Sequence, residues 1–330
     1  MTEKRNLIVV HGEDVDGIVT AGLLKRKFPI NTEIYLLTHQ MQDVFLDALS
    51  QNEDLLAEAN LIIADLSLKR RYVDKDGDQS ILPRLIANAR IVVWVDHHCS
   101  NFLDLVSNVG CNLVHAHGDE KCTAMLVYEH FLAADDGTAH DLACIAQLND
   151  YPDPMGNQEL IKQGNMLQKI VNSLYWNKKH DRLMSLINAI ANDEDWQAEI
   201  EIDLAEFHEE YCKALLRVND NICFGELGSY DILVTILDPI LPQKEIMRWL
   251  RDHYAHEVEA IIGIFPEPVN NVMVFAGAKS SKFPVEQMCE KMTGGSRGGD
   301  GGFTLPTLYD WTDSKKALEN LQTIYDYCFN

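Results

Sequence analysis

Val92, Val93, Trp94 and Val95 run without a spacer into Asp96-His97-His98. Four apolar residues in a row read as a strand buried on both faces, and such strands belong to parallel sheets covered by helices. Two further runs are built alike. Leu7, Ile8, Val9 and Val10 lead into His11, and Leu61, Ile62, Ile63 and Ala64 lead into Asp65. Helical patterns at 18–26, 41–50 and 81–89, a strand at 33–37 and a short strand at 112–115 separate or follow them. Strands alternating with helices imply an α/β fold, a mostly parallel sheet wrapped by helices. In such a sheet the carboxyl ends of the strands share one edge, where ligands collect. An isolated Asp-His-His reads equally well as a helix cap followed by surface histidines. Carboxylates at two other element ends favour a functional edge.

The turn after the first run is Gly12-Glu13-Asp14-Val15-Asp16-Gly17. Asp-x-Asp-Gly places two carboxylates on one side of a turn, and the glycine relaxes the backbone. The further ligand positions of a calcium loop are missing, which sets that option aside. Thr123 is expected to cap a helix running to about residue 132. A helix over 138–149 ends at Asn149-Asp150, and Pro152 and Pro154 stop it. Lys69, Arg70 and Arg71 fit a solvated cluster, the commoner case, or a lip facing phosphate.

From 157 to 220 the pattern is helical and charged. Beyond Asn221 strands are expected at 230–237, 260–265 and 272–277, with helices at 242–254, 284–292 and 313–327. These expectations divide the chain into a first α/β domain at 1–155, a helical connector at 156–220 and a smaller α/β domain with a mixed sheet at 221–330. The last contains Gly294-Gly295-Ser296-Arg297-Gly298-Gly299-Asp300-Gly301-Gly302-Phe303. A flexible turn explains a glycine loop of this kind, but six glycines around one arginine better suit close backbone approach to an anion. Arg297 would make the charged contact.

Formal charge is 28 − 51 = −23 over 330 residues. A chain this acidic repels duplex DNA and tolerates divalent cations. No apolar run approaches the roughly 18–20 residues of a membrane span. The eight cysteines contain no Cys-x-x-Cys pair, which argues against a zinc knuckle or a disulfide framework. The N-terminus lacks a signal-peptide pattern, so a reduced, cytoplasmic protein is expected.

His11, Asp14, Asp16, Asp65, Asp96, His97, His98 and Asp150 form a donor set of oxygens and imidazoles without thiolate, which suits a pair of Mn²⁺-like ions. A bridging carboxylate holds such a pair about 3.5–4 Å apart in metal-assisted phosphate hydrolysis.

In order and type these motifs resemble the DHH phosphoesterase superfamily. His11…Asp14-Val15-Asp16-Gly17 is similar to its first motif, Asp65 to its second, Asp96-His97-His98 to its third and Asp150 to its fourth. The glycine stretch resembles that of the DHH-associated domain of the first type, with Lys279-Ser280-Ser281 similar to its Arg-Ser element. The resemblance covers about two thirds of the chain.

It implies His11 and Asp14 on one metal, Asp16, His97 and Asp150 on the other, and Asp65 bridging. The ions would be Mn²⁺, with Mg²⁺ or Co²⁺ as substitutes. His98 would sit at the scissile phosphate and Asp96 would orient the histidines, as catalytic residues. Arg297, Gly294, Gly295, Gly298, Gly299 and Lys279, with Lys282 beside it, would hold the substrate, and a cleft between the domains would set its length.

The chain departs from the family at three points. The spacing from His11 to the aspartates differs by one residue, Arg297 replaces a histidine, and Asp300 replaces a small apolar residue. The implied activity is hydrolysis of a phosphodiester or phosphoanhydride. The glycine domain is similar to those of nanoRNases, cyclic-dinucleotide phosphodiesterases and RecJ exonucleases, and unlike the lysine-rich domain of manganese pyrophosphatases. The expected partners are short single-stranded nucleic acid, small nucleotides or polyphosphate, with no duplex DNA and no membrane. Homodimerisation is compatible with the sequence, which does not demand it. The competing class is a non-catalytic nucleotide sensor, whose signature would be loss of the metal carboxylates.

Overall fold

The apolar runs pair edge to edge. In the computed structural model, β1 (Asn6–His11), β2 (Thr32–Leu37), β3 (Asn60–Ala64), β4 (Ile91–Asp96) and β5 (Asn112–His115) form one sheet. Its order is β2-β1-β3-β4-β5, and every pair is parallel. The structure describes the chain except residues 1–3, 39–40, 70–71, 74–79, 99–111, 116–119, 154, 238–242, 267–270, 279–282, 293–294, 298–299, 307–310, 312 and 330.

Successive strand residues face opposite sides, and here both sides are covered. Leu7, Val9, Leu61, Ile63 and Trp94 pack with Leu46 and Leu49 of α2 (Gln42–Ser50), Leu56 of α3 (Glu53–Leu56) and Leu82 and Leu85 of α4 (Ile81–Asn88). On the other side α1 (Val15–Lys27) lies on β1, and α5 (Thr123–Phe131) lies on β4. Helices α6 (Gly137–Asp150), α7 (Gln158–Trp176) and α8 (His180–Asn192) complete the layer around α1. α1 and α8 approach so closely that a Cβ on Gly22 would overlap Ile190 Cγ2.

The chain divides into two compact units, 1–204 and 205–330, and the boundary falls within α9 (Trp196–Asp220). The second unit holds a six-stranded sheet of order β10-β11-β9-β8-β7-β6. Its strands are β6 (Cys223–Leu227), β7 (Tyr230–Ile236), β8 (Ala260–Pro266), β9 (Asn271–Ala278), β10 (Gly295–Arg297) and β11 (Asp300–Pro306). Among the described residues only the β7–β8 pair is parallel, so the sheet is mixed, as expected. One face packs on α11 (Val285–Lys291) and α12 (Ser314–Phe329) through Ile232, Val234, Ile262, Met288, Leu321 and Ile324. Another helix of the unit is α10 (Gln243–Tyr254).

Several expectations need correction. Thr123 does not cap α5. Cys122 occupies the cap position in extended conformation, and Thr123 is the first helical residue. The glycine stretch is not simply a loop, because Gly295–Arg297 and Asp300–Pro306 pair antiparallel with Arg297 opposite Asp300. Its glycines hide the alternation that marks a strand. β6 and α3 add to the expected elements. β6 carries only two strongly apolar residues, Phe224 and Leu227, and α3 is a single turn.

Candidate metal centre

The register of the first sheet levels three strand ends. Val10 pairs with Ala64, and Ala64 with Val95. The residues that follow, His11, Asp65 and Asp96, therefore stand in one row on the carboxyl edge. His11 is 5% exposed, Asp65 2% and Asp96 0%. Asp65 adopts a left-handed conformation, φ 54°, which aspartate tolerates better than most residues. Such backbone costs of order 1–3 kcal/mol and gathers at functional sites.

The turn after β1 brings two more carboxylates. Asp14 caps α1, accepting a hydrogen bond from Gly17 N–H at 3.0 Å. Gly17 is required here, since a Cβ would run into the His11 carbonyl oxygen. Asp16, in the first turn of α1 and 4% exposed, takes two backbone bonds from the start of α5. Thr123 N–H donates to Oδ2 at 2.8 Å and Ala124 N–H to Oδ1 at 2.7 Å. The Thr123 hydroxyl donates to Asp65 Oδ1 at 3.1 Å. Asp150 arrives as the last residue of α6, with Tyr151 as its cap.

The histidines meet these acids. His11 Nδ1 is 3.2 Å from Asp14 Oδ2 and 3.6 Å from Asp65 Oδ2, while Nε2 is 3.2 Å from Glu13 Oε2. His97 Nε2 is 3.5 Å from Asp65 Oδ1 and 3.8 Å from Asp16 Oδ2. Its Nδ1 is 2.8 Å from the Tyr151 hydroxyl and 3.7 Å from Asp150 Oδ2. His98 Nδ1–H donates to Asp96 Oδ1 at 2.5 Å. Each ring thus has one nitrogen held by a group beside the acid cluster, namely Glu13, Tyr151 and Asp96.

Two sets of groups converge closely enough to hold an ion, His11 with Asp14 and Asp65, and Asp65 with His97 and His98. Asp65 belongs to both. Its Oδ2 is buried and makes no hydrogen bond, with the His11 ring as its neighbour at 3.6 Å, so an acid oxygen has been withdrawn from water without a close donor. A divalent cation satisfies such an atom. The donor set of carboxylate oxygens and imidazoles fits Mn²⁺ or Mg²⁺ better than a thiolate-seeking metal.

The charges press the same way. Burial opposes a charge on His11, but the adjacent Asp14 carboxylate, aided by Asp65 and Glu13, outweighs it and holds the pKa well above the usual value. Burial likewise opposes a charge on His97, and Asp65, Asp16 and Asp150 overcome it, raising the pKa to about 9. His98 is raised despite burial by its Asp96 partner. Burial and the neighbouring Asp65 charge push Asp16 well above the carboxylate range, whereas His11 and His97 overcome burial at Asp65 and hold it down. The centre collects protons when no stronger cation competes, and metal binding would expel them.

All eight expected residues of the first unit lie around this edge. The substrate-side residues are described less fully. Gly295 and Arg297 lie on β10, where the backbone alone is described, and Gly294, Gly298, Gly299, Lys279 and Lys282 fall outside the described residues. Lys69 pairs with Asp43 at 3.1 Å, and Arg70 and Arg71 are outside the description. Three contacts escape a reading of the sequence. Glu13 stands inside the first motif, Tyr151 follows Asp150, and Thr123 opens a helix, a place that suggests a cap.

No protein-family model matches the chain, and no curated protein matches it in sequence. Solved structures do match. RecJ of Thermus thermophilus in complex with Mn²⁺ is 12% identical with a TM-score of 0.60, over 98% of this chain and 52% of RecJ. Its Mg²⁺ complex gives 12% and 0.53, over 98% and 49%. The pGpG-specific phosphodiesterase PggH of Vibrio cholerae is 14% identical with a TM-score of 0.50, over 98% and 99% of the two chains. This chain spans about half the length of RecJ. Among the described residues no helix is long and apolar enough to cross a membrane. The chain has the fold of RecJ and PggH, which is the fold that the DHH resemblance implies.

Proposed function

We propose that the chain is a DHH-type phosphoesterase that hydrolyses phosphodiester bonds of short oligonucleotides or small nucleotides. The observation that carries this reading is Asp65, which joins two ligand groups and keeps a buried oxygen without a hydrogen-bond donor. His11 and Asp14 would hold one Mn²⁺, Asp16, His97 and Asp150 the other, and Asp65 both. Mg²⁺ or Co²⁺ would substitute. The ions would supply charge against the phosphate and make water a competent nucleophile near neutral pH. His98 is held through Nδ1 by Asp96, a carboxylate that favours the protonated ring, and would give its Nε2 proton to the leaving oxygen. Arg297 and the glycine stretch would bind the substrate's remaining anionic groups. PggH is named a pGpG-specific phosphodiesterase, and that name agrees with a nucleotide substrate.

The test is product analysis with Mn²⁺ on a labelled dinucleotide, a cyclic dinucleotide, a long single strand, adenosine 3′,5′-bisphosphate and polyphosphate, with a chelator control. Mononucleotides released from the short species, and lost with chelator, are the expected result. Orthophosphate from polyphosphate alone would replace the substrate class. Nucleotide binding without turnover of any member would refute the enzyme.

A further inference from the structure

We propose that Thr123 is a positioning residue that sets the Asp65 and Asp16 carboxylates to receive metal; this rests on the two-metal reading above. Its side chain is fully buried. Its hydroxyl donates to Asp65 Oδ1 and its backbone N–H to Asp16 Oδ2, at 3.1 and 2.8 Å. Asp16 comes from α1 and Asp65 from the end of β3, so one residue of α5 spans acids from two other elements. A hydroxyl on Oδ1 restrains the Asp65 carboxylate and leaves Oδ2 without a hydrogen bond.

The chemical type of the donor matters. A cationic donor would neutralise the acids as well as orient them. A hydroxyl and a backbone amide orient without supplying a full charge, so the acids keep their pull on a cation. A helix N-terminus adds only a partial positive charge, enough to ease the crowding of carboxylates. The simpler role of a helix cap is excluded, because Cys122 holds the cap position and the Thr123 hydroxyl is spent on Asp65. Valine keeps the branched shape of the side chain and removes only the hydroxyl, so it isolates the bond to Asp65.

The experiment compares Mn²⁺ affinity, read from the electron paramagnetic resonance of the free ion, in wild type, Thr123→Val and Thr123→Ser. Groups that orient metal ligands typically cost about 10–100-fold in affinity when removed, and that loss is expected for Thr123→Val. Thr123→Ser keeps the hydroxyl and should bind close to wild type. At limiting Mn²⁺ the valine variant should lose kcat with KM for the nucleotide unchanged, and excess Mn²⁺ should restore it. A structural role alone would lower the melting temperature and leave metal affinity in place. If Thr123→Val fails to fold, Thr123→Ala, which cannot overpack, carries the same comparison. Wild-type affinity in the variant lacking the hydroxyl, or an equal loss in Thr123→Ser, would overturn the inference and leave the enzyme reading standing. Failure of the wild type to bind Mn²⁺ would overturn both.

Discussion

The raised histidines fix how metal affinity responds to pH. As a proposed ligand His97 would have to give up a proton, and its pKa of about 9 keeps that proton in place across the neutral range. His11 is raised in the same direction by the Asp14 carboxylate. Each displaced proton makes affinity rise tenfold per pH unit, about 1.4 kcal/mol. Between pH 6 and 8 the His97 proton alone gives about 100-fold. Ordinary histidines would be largely spent by pH 7. The stability of the chelated protein runs the other way. A folded pKa above the unfolded one stabilises at low pH, so that stabilisation, complete below 6.5, is lost as pH rises from 6.5 through about 9. Titration calorimetry with Mn²⁺ in two buffers of different ionisation enthalpy counts the released protons. Thermal melts with chelator follow the stability. An affinity that is flat from pH 7 to 8 would refute the reasoning.

Asp65→Asn keeps the shape of the side chain and removes the charge both ligand groups share, so Mn²⁺ binding and hydrolysis should be lost while circular dichroism stays native; retention of more than a few per cent of activity would refute its place. His98→Gln should leave Mn²⁺ affinity near wild type and lower kcat by about 10²–10⁴, the usual worth of a general acid. Equal losses in metal affinity and rate would instead make it a ligand. Gly17→Ala should cost at least about 1–3 kcal/mol, as overpacking does, because the obstructing atom is a backbone oxygen that cannot swing aside; urea melts measure it, and an unchanged midpoint would contradict the close approach.

The first sheet and its acid edge are legible in the sequence because both rest on short-range signals. Apolar runs such as 61–64 are too short for helices, and each ends on a group with chemistry. Pairing register cannot be read there, and it is register that levels His11, Asp65 and Asp96. The groups behind the histidines are hidden for another reason. Tyr151 and Thr123 act across 54 and 58 residues of chain, on His97 and Asp65, and neither residue type announces metal. Asp96 is expected to orient the histidines; the structure gives it His98, while His97 turns to Tyr151. β10 and β11 escape notice because glycine has no side chain to show which face of a strand it occupies.

The level row of strand ends also bears on when the centre comes into being. His11 and Asp150 mark its limits in the chain, so every residue between them must be synthesised before the ligand set exists. Parallel strands cannot close by a hairpin, and each crossover defers pairing until a helix has been laid down. A nascent chain that has reached Asp96 already has β1, β3 and β4 to pair but lacks α5 and α6, hence the amides on Asp16 and the Asp150 carboxylate. On the two-metal reading, metal capture would be a late event of folding, and the moment of Mn²⁺ uptake would date the docking of those two helices.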